Sequence, residues 1–208
     1  MRLGLGAGWQ DREHDSYGFA LGDLDDRFTR LHEALEVVTL LLRSNDPVDF
    51  SGKFFTLKDA LLLPRPAQAG HPPIVIGGNG PKRTLPLVAR YADEWNAVGA
   101  THDRVATLNA TLDDLLTAQG RQPGDVKRSL MTRVVVGKDD AQVTAKLKGR
   151  DRAELAGRGA LIGTPNEIVD KLGALESAGI SRVQGQWLDM DDIPGLELLA
   201  SEVIPQLG

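Results

Sequence analysis

The chain has 208 residues, 41% hydrophobic and 25% charged, a composition that fits a folded globular protein and excludes a disordered or fibrous one. Its net charge of −5, without a basic run, argues against nucleic acid or an anionic membrane as a partner. There are no cysteines, which removes disulfides, thiolate catalysis and Cys-type zinc, and no apolar run reaches the roughly 18 residues of a membrane span, so a single cytoplasmic domain over 1–208 is expected.

Residues 2–8 read as a short glycine-rich strand that runs into a polar loop through Leu24. Phe28, Leu31, Leu35, Val38 and Leu42 then step by three or four along one helix face, and Asp25 and Asp26 stand where carboxylates suit the helix dipole. The segment from Phe50 to Leu57 reads as a hairpin, and Pro64, Pro66, Pro72 and Pro73 mark an extended approach. Ile74-Val75-Ile76 is β-branched and uncharged, the pattern of a buried parallel strand. It runs into Gly77-Gly78-Asn79-Gly80 and a helix from about Pro81 to Tyr91.

A strand over 94–98 and an amphipathic helix over 102–119 follow, the helix ending at Gly120. Leu130 to Val136 makes the next strand, with helical segments near 139–156 and 165–178. Thr164 as N-cap, Pro165 at the first helical position and Glu167 two residues on form a helix start. A strand over 182–188 and a helix over 192–204 complete five strands, each followed by a helix. That alternation is the signature of βα units around a parallel sheet.

Five strands complete an open doubly wound sheet but fall short of a closed eight-stranded barrel. The open-sheet reading fails at its own test. In Gly4-Leu5-Gly6-Ala7-Gly8-Trp9, Trp9 stands where a dinucleotide fingerprint needs its third glycine for close helix packing. The turn after Ile76 carries a different signal. Three glycines in four residues at a strand–helix junction let the backbone approach an anion, and the helix N-terminus adds positive potential. For an isolated run of this kind, a packing turn between strand and helix is the commoner explanation.

Several segments read together carry a resemblance. They are Gly6-Ala7-Gly8-Trp9 with Glu13-His14 and Tyr17-Gly18, then Arg27-Phe28, then Phe50-Ser51-Gly52-Lys53-Phe54-Phe55 leading to Leu63-Pro64-Arg65-Pro66. Pro72 to Gly80 with Arg83-Thr84-Leu85 follows, then Ala89 to Asn96, Gly163-Thr164-Pro165, Gln186-Trp187-Leu188-Asp189 and Glu202 to Pro205. In this order they resemble the bacterial luciferase-like monooxygenase superfamily, especially its coenzyme F420-dependent oxidoreductases. The resemblance implies an α/β fold, a partial (β/α)8 TIM barrel holding about strands four to eight, within a single luciferase-like domain that lacks the first three βα units.

The resemblance also implies a cofactor, coenzyme F420 with FMN as the alternative, and a small-molecule substrate. Cofactor contacts are expected from Gly6, Gly8, Trp9, His14, Tyr17, Gly77, Gly78, Asn79, Gly80 and Arg83, and substrate contacts from Trp95 and Asn96. Each has a plainer reading: Trp9 and Trp95 as core indoles, His14 as a structural or exposed loop residue, Arg83 as a solvated helix residue. Asp189, Asp191 and Asp192 are expected to cap the last helix rather than hold a cation. Open strand edges leave three further expectations: self-association, pairing with a chain that supplies the missing barrel half, or a non-catalytic remnant.

Overall fold

The structure, a computed structural model, describes residues 1–67 and 70–207. It divides into two compact units, Met1–Glu94 and the residues from Trp95 on.

In the N-terminal unit, β1 (Leu3–Leu5) and β4 (Ile74–Gly77) pair in parallel, with Leu3 opposite Ile74 and Leu5 opposite Ile76. Asp93 fixes the start of β4: its carboxylate accepts from Ile74 N–H at 2.7 Å, and its own N–H donates to Ile74 O at 2.9 Å. Between the strands run α1 (Asp11–Tyr17), α2 (Leu24–Arg43) and the antiparallel pair β2 (Val48–Ser51) and β3 (Thr56–Ala60). Asp23 caps α2 by accepting from Asp26 N–H at 2.8 Å, and Leu31, Leu35 and Leu42 bury its apolar face. α3 (Thr84–Tyr91) closes the unit, with Leu85, Val88 and Ala89 buried.

In the C-terminal unit, β5 (Glu94–Val98) neighbours β6 (Lys127–Val136), and α4 (His102–Ala118) buries Val105, Leu108, Leu112 and Leu116. β6 is long enough to serve two parallel partners. Its residues Ser129 to Arg133 pair with β8 (Arg182–Gln186), and Val134 to Val136 pair with β7 (Leu161–Gly163). α5 (Asp140–Leu147) and α6 (Arg152–Gly157) lie between β6 and β7, and α7 (Pro165–Ser177) links β7 to β8. Thr164 and Glu167 form the capping box expected at the start of α7. α8 (Ile193–Leu198) is short and gives way to a π turn over Leu199–Val203 and a 3-10 turn over Ile204–Gln206, not one helix over 192–204.

Three further differences from the sequence expectation have physical causes. α1 replaces part of the polar loop; it buries no residue, so it has no apolar stripe to betray it. β7 is three residues long and wholly buried, too short to show a period. The helix expected from Pro81 begins at Thr84 because the N–H groups of Thr84 and Leu85 both donate to Gly80 O, at 2.9 and 3.0 Å.

Candidate functional site

Parallel pairing sets the site. With Leu5 opposite Ile76, the segments Gly6-Ala7-Gly8 and Gly77-Gly78-Asn79-Gly80 leave their strands at the same edge. In parallel α/β folds, ligands bind at the carboxyl ends of the strands.

The second segment is shaped by the residues that follow it. Gly78 has φ of +122°, a region that side chains avoid, and a Cβ there would lie 3.4 Å from Thr84 Oγ1. A Cβ on Gly80 would lie 3.0 Å from the same oxygen. Thr84 is buried against the turn. Arg83 pairs with Asp25 at 2.7 Å and stacks over the Phe28 ring at 5.5 Å, so its charge is engaged with α2.

The first segment is held from a distance. The Arg27 guanidinium on α2 donates to Ala7 O at 3.2 Å and to Gly8 O. Gly6, Gly8, His14, Arg27 and Phe55 are among the residues that line a pocket of about 280 Å³. The His14 ring nitrogen Nδ1 bonds Phe19 O at 3.0 Å, which orients the ring. Trp9 and Tyr17 do not line this pocket; each is 76% exposed.

Phe55 reaches the pocket because Glu33 anchors its hairpin. The Glu33 carboxylate, buried within α2, accepts from the N–H groups of Lys53, Phe54 and Phe55 at 2.7, 2.8 and 3.1 Å. Burial opposes its charge, but the backbone donors, Phe54 first, outweigh this and hold its pKa below the ordinary value of 4.5. A Cβ on Gly52 would lie 2.5 Å from that carboxylate, so the glycine makes room for it. From sequence Arg27 enters only as part of the resemblance, with no role assigned, and Glu33 is not singled out. The signal for Glu33 was present: a carboxylate between Leu31 and Leu35 on an apolar helix, twenty residues before a glycine-containing hairpin.

Of the expected substrate residues, Trp95 is completely buried, and Asn96 Nδ2 donates to Ser129 Oγ at 2.9 Å and Gln184 Oε1 at 3.1 Å. Asp192 caps α8 and pairs with Lys146, and Asp189 pairs with Lys148, each at 2.7 Å. Among the described residues no group of three His, Cys, Asp or Glu is placed to hold a metal, and no helix is long and apolar enough to cross a membrane.

Residues 1–157 match the family model for luciferase-like monooxygenases. An F420-dependent glucose-6-phosphate dehydrogenase from Microbacterium testaceum is 31% identical over 134 residues, 64% of this chain and 38% of that protein. Pyrimidine monooxygenase RutA from Caulobacter vibrioides is 30% identical over 158 residues, 73% of this chain and 42% of that protein. The matched region thus spans less than half of either relative. In three dimensions an F420-dependent secondary alcohol dehydrogenase, solved with an F420-acetone adduct, superposes with a TM-score of 0.82 at 22% identity, covering 100% of this chain and 69% of that one. The F420-dependent tetrahydromethanopterin reductase of Methanopyrus kandleri gives 0.77 at 19% identity, covering 100% and 74%.

Proposed function

The chain belongs to the luciferase-like monooxygenase family and carries an α/β fold that matches part of that family's barrel, and from that premise we propose that it holds coenzyme F420 with its phosphate against the Gly77–Gly80 turn. The observation that carries the proposal is the shared strand edge, where Gly6–Gly8 and the Gly77–Gly80 turn emerge side by side. The turn suits a phosphate because three of its four residues, Gly77, Gly78 and Gly80, carry no side chain to keep an anion from the backbone. When bound, coenzyme F420 supplies hydride transfer to or from an organic substrate.

The protein's share is position and polarity. Gly6 and Gly8 leave room beside the pocket, and Arg27 fixes their carbonyls. His14, held by Phe19 O, presents an imidazole able to give or accept a proton, and Phe55 supplies an apolar wall. Trp9 and Tyr17 are proposed as outer contacts that become covered when the cofactor binds. Asn96, oriented by Ser129 and Gln184, is the proposed polar contact to substrate, and Trp95 supports it from the core. Monooxygenation, with FMN as the cofactor, is the second reading; the match to RutA, a pyrimidine monooxygenase, over 73% of the chain favours the monooxygenase part of it.

Titrating the purified chain with coenzyme F420 and with FMN, followed by fluorescence, tests both. The expected result is micromolar binding of F420, tighter than FMN, and a weakening of about a hundredfold or more in Gly78→Asp, which sets a carboxylate against the phosphate. Binding of FMN alone selects the second reading. A folded chain that binds neither, or a Gly78→Asp protein with unchanged affinity, overturns the proposal.

A further inference from the structure

One small pocket of the C-terminal unit is lined by four cations and two carboxylates: Arg133, Lys146, Lys148, Arg150, Asp189 and Asp192. Trp187 and five apolar residues, Val134, Val135, Leu147, Leu155 and Leu188, make up the rest of its lining. Strand register explains the meeting: Arg133 on β6 lies opposite Gln186, the last residue of β8, so Trp187 follows directly beside it. The end of α5 brings Lys146 and Lys148 from the other side, and Arg150 follows two residues later.

The charges do not cancel. Lys146 pairs with Asp192 and Lys148 with Asp189, which uses both carboxylates, and Lys146 also donates to Val136 O at 2.8 Å. Gly195 lets the first pair close against the indole, because a Cβ there would lie 2.7 Å from both Lys146 Nζ and Trp187 Cζ2. Among the described residues, the side chains of Arg133 and Arg150 have neither an ion pair nor a hydrogen bond. The indole Nε1–H of Trp187 is buried and has no acceptor.

The half-buried Arg133 and the exposed Arg150, both without a carboxylate partner, and the buried orphaned N–H of Trp187 suit the same ligand, a compact negative acceptor. The space is about 100 Å³, enough for one oxyanion group and too small for an intact nucleotide. In a chain of net charge −5, a local excess of two positive charges at such a pocket is not explained by general surface composition. We infer that this pocket binds the oxyanion group, phosphate or carboxylate, of a small molecule, with Arg133 and Arg150 as charge partners and Trp187 Nε1–H as the orienting donor. The inference is independent of the glycine turn and of the cofactor proposed there.

The test follows the indole N–H resonance of Trp187 in the ¹⁵N-labelled full chain, assigned with Trp187→Phe. Inorganic phosphate and acetate are titrated separately at constant ionic strength. The expected result is a saturable shift of the Trp187 resonance, weakened about fivefold or more in Arg133→Gln and in Arg150→Gln, with the Trp9 and Trp95 resonances reporting that the fold is intact. Saturation by phosphate alone identifies a phosphate ligand, by acetate alone a carboxylate, and by both the shared group. If Arg133→Gln does not fold, Arg150→Gln decides, because Arg150 is exposed. No saturable shift with either ion, or an unchanged shift in the folded arginine variants, overturns the inference.

Discussion

Two glycine-rich strand ends leave the same edge of the β1–β4 pair, and they are held by different means. The Gly77–Gly80 turn is organised by its immediate successors: Thr84 fills the space beneath it, and the Gly80 carbonyl receives the first two N–H groups of α3. The Gly6–Gly8 segment has no such local support. A side chain nineteen or twenty residues away, Arg27, pins its carbonyls, and the following stretch exposes Trp9, Tyr17 and Phe19. A turn shaped by neighbours in sequence is preorganised as soon as its strand and helix form. One shaped by a distant arginine depends on a helix packing in place, and it can adapt when a ligand arrives.

Breaking the local turn is expected to have the largest effect on stability. Gly78→Val places a β-branched residue at φ +122° against Thr84, and the expected loss is about 1–3 kcal/mol in urea denaturation. Arg27→Ala removes the distant support and is expected to cost about 1 kcal/mol, with faster amide exchange confined to residues 6–10. Equal protection in the two proteins would show that the segment is held by something other than Arg27.

Smaller again is the acid response of the hairpin that carries Phe55. Because the folded-state pKa of Glu33 lies below 4.5, its contribution is complete above that value and is lost as pH falls through the lowered one. The protection factors of the Lys53, Phe54 and Phe55 amides, exchange relative to the intrinsic rate at each pH, should therefore fall as the pH drops below 4.5, and Glu33→Gln should remove that dependence. The smallest effect is expected for Gly6→Ala. No atom lies within 4 Å of the added Cβ and φ is not in the left-handed region, so stability should change by less than about 0.5 kcal/mol. A large loss there would mean that the two ends are built alike after all.

The same distinction marks what was legible in the sequence. The β4 strand, the apolar face of α2 and the capping box at Thr164 were readable because their causes lie within a few residues of one another. The glycine turn belongs with them. Arg27 and Glu33 act on backbone about twenty residues away; the apolar neighbours of Glu33 mark it as unusual, but nothing local names the backbone that either residue will hold. Trp95 offered two readings from sequence, and its complete burial puts the indole in the core; Trp9, beside a strand end in the same way, lies exposed. Which environment an aromatic residue meets at a strand end depends on what packs over it, and the strand itself carries no record of that.

The division of β6 between two partners has a consequence for how this chain can change length. Residues 129–133 pair with β8 and residues 134–136 with β7, so the backbone pairing of β6 with β8 uses no residue between Gly137 and Ala160. Residues can be added to or removed from the excursion through α5 and α6 while both pairings keep their partners. A change of length there would move the α5 side chains that reach the arginine pocket and leave the strands that frame it in place.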